Sequence, residues 1–342
     1  MKKKIFITGG AGFIGSNFAR HRILMGDHVT IFDNLSRRGA ESNLEWIRTE
    51  TSGSHFEFIK GDVRDYEHLA SVIGSHDVVV HLAAQVAVTS SVTDPAHDFG
   101  VNAAGTFNVL ESVRQSGTIP LVIYASTNKV YGEIENIAVE EEEQRYRFSE
   151  LPQGVSETQS LDFHSPYGCS KGCGDQYVRD YSRIYGFPTV VFRQSCIYGQ
   201  RQFGVEDQGW VAWFIIAAVL GKPISIYGDG KQVRDVLHID DLIGAYDQAI
   251  ERVLRPGGEI FNIGGGPQNA IAIWREFGPI LEEIHGERIP ITYGDWRPGD
   301  QKIYISDISR AKEVLGWAPR INVKDGISRL YRWVTDNRGL FA

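Results

Sequence analysis

The chain has 342 residues, 42% of them hydrophobic and 23% charged, enough for a large buried core and for two domains. Its net charge of −8 argues against nucleic acid as the main partner, because binding a phosphate backbone calls for a basic surface. The apolar run after Lys2-Lys3-Lys4 is broken at once by glycines, so no signal peptide is expected. The longest apolar stretch, Trp210 to Leu220, is too short to span a bilayer and reads as a core or interface helix.

Lys4 to Thr8 is a β-branched and aromatic run that predicts a strand, and Gly9-Gly10-Ala11-Gly12-Phe13-Ile14-Gly15 follows it. A helical segment then runs to Gly26, and His28 to Phe32 predicts the next strand, ending at Asp33. Strand, glycine-rich turn, helix, strand and then an acid about twenty residues on is the dinucleotide-binding arrangement. Glycines at 9, 12 and 15 let backbone amides, with those of Phe13 and Ile14, approach a pyrophosphate at the positive end of the helix. Asp33 can accept hydrogen bonds from the adenosine ribose and repels the 2′-phosphate of NADP, so NAD is the expected cofactor. Asn34, Ser36 and Arg37 extend that contact, and Arg37 with Arg38 softens the preference against NADP.

His55 to Ile59 predicts a third strand, leading to Gly61-Asp62-Val63, where Asp62 is placed to bond the adenine amine. Asp77 to Leu82 is almost wholly apolar, as a strand buried on both faces of a parallel sheet should be. Small residues in Leu82-Ala83-Ala84-Gln85 let backbone lie against the cofactor. Asp94-Pro95 opens a long helix to about Gly117 that contains Asn102, and Leu121 to Ala125 is a fifth strand before Ser126-Thr127-Asn128-Lys129. Ligands of open parallel sheets bind at the carboxyl ends of strands, where the glycines, Asp33, Asp62, Ala83 and Thr127 all fall.

Between Gly132 and His164 the pattern breaks into an acidic, irregular insertion. Glu140 to Glu143 read as solvated surface, while Arg145 and Tyr146 are open to a lid or substrate-facing role. The segment runs into His164-Ser165-Pro166-Tyr167-Gly168-Cys169-Ser170-Lys171, where Pro166 suits a first helical residue. Tyr167 and Lys171 then share one helix face, and an ammonium beside a phenol lowers its pKa toward working pH, giving a general acid/base. Taken alone, that spacing also arises by chance. Three cysteines, Cys169, Cys173 and Cys196, cannot all pair, which points to a reducing, cytoplasmic setting. No His or carboxylate pattern accompanies Cys169 and Cys173, so they read as reduced packing residues, and no metal site is expected.

Pro188 to Arg193 predicts the strand that closes the first domain. Beyond it, Trp210 to Gly221, Asp240 to Arg255, Ala272 to His285, Asp307 to Leu315 and Val323 to Asp336 predict helices, and Ile224 to Tyr227 and Phe261 to Ile263 predict strands. The expected fold is α/β: a Rossmann-type doubly wound parallel sheet over residues 1–193 and a smaller α/β substrate domain over 194–342. Segments from about 233 to 263 are expected to cross back onto the first domain.

Thr8-Gly9-x-x-Gly12-x-x-Gly15, Asp62-Val63, His81-Leu82-Ala83-Ala84, Ser126-Thr127 and Tyr167-x-x-x-Lys171 together resemble the extended short-chain dehydrogenase/reductase family, over nearly the whole chain. The phrases Ser126 to Gly132, Leu161 to Lys171, Val191 to Ser195, Arg201 to Phe203, Asp207 to Trp210 and Gly230 to His238 resemble its CDP-sugar 2-epimerases more narrowly. That resemblance implies interconversion of CDP-paratose and CDP-tyvelose at carbon 2, with NAD retained. It implies Thr127, Tyr167 and Lys171 as catalytic residues, Asn102 as a support for Lys171, and a homodimer or homotetramer. For the nucleotide sugar it implies contacts from Thr127, Asn128, Gln194, Ser195, Gln208, Arg234 and Arg297, the arginines suiting the diphosphate. Trp210 is explained as well by packing. Related 4,6-dehydratases carry an Asp-Glu pair after the threonine; here Asn128 and Lys129 stand there, which argues against elimination. A UDP- or CDP-hexose 4-epimerase would use the same hydride machinery, and a non-catalytic NAD-binding sensor would not need the Tyr/Lys pair.

Overall fold

A computed structural model describes residues 2–52, 56–253, 255–297 and 300–341. The expected strand start at His55, Leu254 in the expected Asp240–Arg255 helix, and Pro298-Gly299 after Arg297 lie outside the described residues. The chain divides into two compact units, one of Met1–Val130, Ser165–Arg193 and Ile243–Phe261, the other of Tyr131–His164, Gln194–Leu242 and Asn262–Ala342. The insertion after Val130 groups with the second unit, and Ile243–Phe261, inside the expected stretch from about 233 to 263, groups with the first.

The first unit begins β1 (Lys4–Thr8), α1 (Phe13–Leu24), β2 (His28–Asp33), α2 (Ala40–Glu50), β3 (Phe56–Lys60), α3 (Tyr66–Val72) and β4 (Val78–His81). Next come α4 (Val88–Thr93), α5 (Pro95–Phe99), α6 (Gly105–Gln115) and β5 (Leu121–Thr127). After the insertion follow α7 (Ser165–Tyr185), β6 (Thr189–Gln194), α8 (Ile239–Arg252) and β7 (Glu259–Ile263). Its described residues form a seven-stranded sheet in the order β7-β6-β5-β4-β1-β2-β3. β3, β2, β1, β4 and β5 pair in parallel, in register Ile7↔Ile31 and Ile7↔Val80 across the centre. This is the Rossmann-type arrangement, and β4 is buried along its whole length, as its apolar run requires.

Three helices, α2, α3 and α4, were not legible as separate elements in the sequence. The helix expected from Asp94 to Gly117 is capped as anticipated, with Asp94 accepting from the His97 amide at 3.0 Å and Pro95 in the first turn. It is not one α-helix: Gly100–Ala104 forms a π turn between α5 and α6, and Asn102 sits inside it. Such turns widen the helix locally and re-aim the side chains they carry.

In the second unit, Val233–His238 pairs antiparallel with Ala270–Ala272 and parallel with Ile303–Tyr304 and Cys196–Tyr198. Ile224–Tyr227 pairs in parallel with Ile291–Gly294. The apolar helix Trp210–Leu220 is a core element, packed with Trp274, Phe277, Ile327, Leu330 and Val334. The insertion is not wholly irregular, because Val139–Glu141 and Tyr146–Phe148 form a short antiparallel pair. Arg145 and Tyr146 have structural partners there: Arg145 pairs with Glu276 at 2.5 Å, and the Tyr146 hydroxyl donates to Asp229 at 2.6 Å.

Candidate active site

The glycine turn links β1 to α1, and its geometry explains two of its glycines directly. Gly9 has φ +68°, and a Cβ there would stand 2.6 Å from the Ala83 amide nitrogen, so only glycine lets the turn lie on the loop after β4. At Gly15 a Cβ would meet the Gly9 carbonyl oxygen at 2.3 Å. At the α1 N-cap, Gly12, it would meet only that oxygen, at 3.1 Å, which leaves the outer side of the turn open. No side chain caps α1 and no acid lies in its first turn, so the amides following Gly12 remain directed at whatever anion binds there.

Asp33 is brought to the same place by β2. Its carboxylate accepts from the Ala11 amide at 3.0 Å and the Leu35 amide at 2.8 Å, while burial raises its pKa. Beside it, Asp62 accepts from Arg64 at 2.7 Å and from Asn34 at 2.9 Å, which holds its carboxyl well below the usual range. The Ser36 amide closes a local turn on Asn34 at 3.0 Å. Arg37 and Arg38 follow, exposed. Val63 packs where Gly105 leaves room for it, a Cβ on Gly105 falling 2.7 Å away. Leu82 continues the β1 pairing, its amide donating to the Thr8 carbonyl at 3.1 Å, and Ala84 and Gln85 follow along the loop. The open turn, the uncapped amides and Asp33 fit the pyrophosphate and adenosine ribose of a dinucleotide.

Tyr167 and Lys171 lie on α7, both buried. The helix begins at Ser165, held at φ +67°, a conformation costly for a residue with a Cβ, and the Ser165 hydroxyl oxygen accepts from the Gly168 amide at 3.2 Å. Gly174 lets α7 close on β5, since a Cβ there would meet the Tyr124 hydroxyl at 2.4 Å. The Lys171 ammonium consequently sits 4.1 Å from the centre of the Tyr124 ring.

The titration pattern departs from the sequence expectation. Burial pushes Tyr167 up to about 12, opposed by a hydrogen bond from Thr127 and reinforced by the charge of Asp98. Burial pulls Lys171 down to about 7, opposed by Asp175 and Asp98. Loss of water dominates the phenol, so its pKa rises instead of falling toward working pH. Of the two groups, the amine is the more acidic.

Asn102 joins this cluster. Its amide nitrogen donates to Gln85 O at 3.0 Å, Asp98 Oδ1 at 3.1 Å and Ser170 Oγ at 3.2 Å, and its oxygen accepts from the Gln85 amide at 3.0 Å. Asp98, Ser170 and the Asp175–Arg193 ion pair at 2.9 Å were missed from the sequence. Only the helical spacing of Asp98 and Asn102 gave a signal there. Thr127 ends β5, and its hydroxyl oxygen accepts from the Lys129 amide at 3.2 Å, with the Asn128 side chain buried beside it. Cys169 is exposed rather than packed, and Cys173 and Cys196 are half-buried. Among the described residues, no group of three His, Cys, Asp or Glu could hold a metal ion, and no helix is long and apolar enough to cross a membrane.

The remaining candidates lie in the second unit. Gln194 is buried, and the Ser195 hydroxyl donates to Asp235 Oδ1 at 2.5 Å. The Arg234 guanidinium is buried, donating to Asp300 at 2.7 Å and to the Gln301 carbonyl at 2.6 Å. Arg297 lies 3.9 Å from the centre of the Tyr227 ring and 3.1 Å from Asp207. The Gln208 amide closes a turn on Val205 at 2.9 Å, and Trp210 packs edge-on against Phe277 at 5.1 Å.

Residues 6–330 match the family model described as GDP-mannose 4,6 dehydratase. A CDP-paratose 2-epimerase of Salmonella typhi is 44% identical over 97% of this chain and 99% of its own length. Among solved structures, a UDP-glucose 4-epimerase of Thermotoga maritima with UDP-glucose superposes with a TM-score of 0.83 at 31% identity, covering 98% of this chain and 99% of that one. A UDP-glucose 4-epimerase of Thermus thermophilus in complex with NAD does so with a TM-score of 0.80 at 29% identity, over 96% and 98%. A glycine turn opening onto an uncapped helix, a buried tyrosine and lysine one turn apart, and a family model spanning the chain agree. This protein belongs to the GDP-mannose 4,6-dehydratase family, within the extended short-chain dehydrogenase/reductases.

Proposed function

We propose that this chain is an NAD-dependent epimerase that inverts carbon 2 of a CDP-dideoxyhexose, interconverting CDP-paratose and CDP-tyvelose through a transient keto sugar. The observation that carries the chemistry is the burial together of Thr127, Tyr167 and Lys171, with Thr127 lowering the phenol's pKa against the effect of burial. The choice of sugar rests on the 44% identity to a CDP-paratose 2-epimerase along nearly the full length of both chains. NAD, when bound, supplies the hydride acceptor and returns the hydride.

The chain's own residues supply the rest. Gly9, Gly12 and Gly15 with the amides of Phe13 and Ile14 hold the pyrophosphate, and Asp33 holds the adenosine ribose. The Tyr167–Lys171 pair, short of one proton, accepts the proton of the sugar hydroxyl as the C–H bond of the same carbon breaks. Thr127 orients that oxygen and stabilises its developing charge. The keto sugar turns and is reduced on its other face, and the pair gives the proton back. Elimination has no acid/base pair to run on, because Asn128 and Lys129 bring no carboxylate. Arg234 and Arg297 are the proposed diphosphate contacts.

Incubation with CDP-tyvelose, followed by NMR of the sugar, should yield CDP-paratose. Inversion at carbon 4 would instead identify a hexose 4-epimerase. Tyr167→Phe should lower kcat by about 10²–10⁴-fold with the fold retained, and an unchanged rate removes Tyr167 from proton transfer. We also propose a homodimer built on the outer face of α5, α6 and α7. Phe99, Phe107, Tyr177 and Ile184 are exposed on these helices, with Phe107 and Tyr177 ring centres 6.1 Å apart. Light scattering should find a dimer that Phe99→Glu dissociates; a monomeric parent chain rules the interface out.

A further inference from the structure

We propose that His81 is a positioning residue of the hydride-transfer site: held as the neutral Nε2–H tautomer, it ties the Ala83 turn to the π turn that carries Asn102. Its role rests on the function proposed above, but its geometry does not.

Hydrogen-bond bookkeeping determines the tautomer. Thr106 Oγ1 lies 2.6 Å from the Asn102 carbonyl oxygen, which can only accept, so the single hydroxyl hydrogen of Thr106 is committed there. His81 Nε2 lies 2.9 Å from the same Thr106 oxygen, which must therefore accept, and Nε2 carries the hydrogen. His81 Nδ1 is then bare and accepts from Thr8 Oγ1 at 2.7 Å. The Thr8 oxygen in turn accepts from the Ala83 amide at 3.2 Å. The opposite tautomer would require Thr106 to release Asn102, and an imidazolium would leave the Thr8 hydroxyl hydrogen facing a donor. The ring is 1% exposed, and burial with the nearby Lys171 charge pulls its pKa down to about 3, in keeping with a neutral imidazole.

Each end of this chain of bonds meets the site. At one end, Ala83 lies against Gly9, where even a methyl group would collide. At the other, the Asn102 backbone is restrained inside a π turn while its side chain joins Gln85, Asp98 and Ser170, the residue before Lys171. Between the ends stands one imidazole, whose ring also packs on Tyr124 at 5.5 Å. A shift of the ring would therefore move both the cofactor loop and the support of the acid/base helix.

The wild-type protein, labelled with ¹⁵N-histidine, gives the first test. Long-range ¹H–¹⁵N correlations should show His81, assigned by the signal lost in His81→Gln, with Nε2 protonated and Nδ1 bare throughout pH 5–8. An Nδ1–H tautomer, or titration within that range, overturns the proposal whatever reaction the protein catalyses. The second test separates positioning from folding. In folded His81→Phe, kcat should fall by about 10²-fold, the cost of a displacement near 1 Å, with KM changed less than about threefold. His81→Gln, which keeps an N–H toward Thr106, should recover part of that loss. Wild-type kcat in His81→Phe overturns the proposal. If the parent protein turns over no nucleotide sugar, calorimetric NAD affinity replaces kcat. About tenfold weaker binding by His81→Phe then supports the positioning role, and equal affinity overturns it.

Discussion

Asp98→Asn removes one buried charge beside Lys171 while leaving the hydrogen bonds around it satisfiable. Asp98 accepts from Gln85 Nε2 at 3.1 Å, Asn102 Nδ2 at 3.1 Å and Ser170 Oγ at 2.5 Å. An asparagine oxygen can keep the first two, and the Ser170 hydroxyl can turn to its other acceptor, the Tyr167 carbonyl at 3.2 Å. The charge is what disappears. Lys171, near 7, is supported by Asp175 first and Asp98 second, and the Asp175 charge is already matched by Arg193. A nearby opposite charge moves a pKa by about 1–3 units, so the lower end of that range takes Lys171 from about 7 to about 6. Tyr167 moves the same way, because Asp98 raises it too. For the pair to take a proton from the sugar it must first have lost one, and Lys171 loses its proton at the lower pH. The rate therefore rises with pH through that value, and the acid limb of kcat/KM should move about one unit lower in the variant. At pH 6 the variant should run at about half its plateau, against about a tenth for the parent. Profiles from pH 5 to 9 at constant ionic strength read this directly. An acid limb that stays in place or moves upward would refute the coupling of Asp98 to Lys171.

Two further substitutions test the frame. Gly15→Ala places a Cβ 2.3 Å from the Gly9 oxygen and 2.6 Å from Gly10 Cα, so the turn must open by about 1 Å. NAD affinity measured by calorimetry should fall at least about tenfold, and parent-like affinity would mean that the turn does not hold the pyrophosphate. Arg193→Met strands the fully buried Asp175 carboxylate, which also accepts from Ser126 at 2.8 Å. Urea unfolding should show a loss of about 3–5 kcal/mol, and a loss below about 1 kcal/mol would mean that Asp175 finds another partner or a proton.

Much of the first unit was legible because its signals are local. A strand, the glycines from Gly9 to Gly15 and Asp33 follow one another within one βαβ step, so their order alone places them at one strand end. Tyr167 and Lys171 were legible for the same reason, since helical spacing sets their common face. The short helices α3 and α4 have few turns in which periodicity can register, α2 has no side-chain cap at Gly39 to mark its start, and the insertion hid a pair of three-residue strands held in part by Arg145 and Glu276, far apart in sequence.

By itself the sequence determined the parallel Rossmann-type unit, the glycine turn and the spacing of the acid/base pair. Tertiary structure alone decided how that pair titrates and what surrounds it. Asp98 reaches Ser170 across 72 residues, and Thr8 reaches His81 across 73. No local pattern encodes contacts at that separation. The reversal of the expected Tyr167 shift has the same origin: spacing puts a lysine one turn from a phenol, but the packing of α7 on β5 removes the water, and desolvation raises the phenol's pKa.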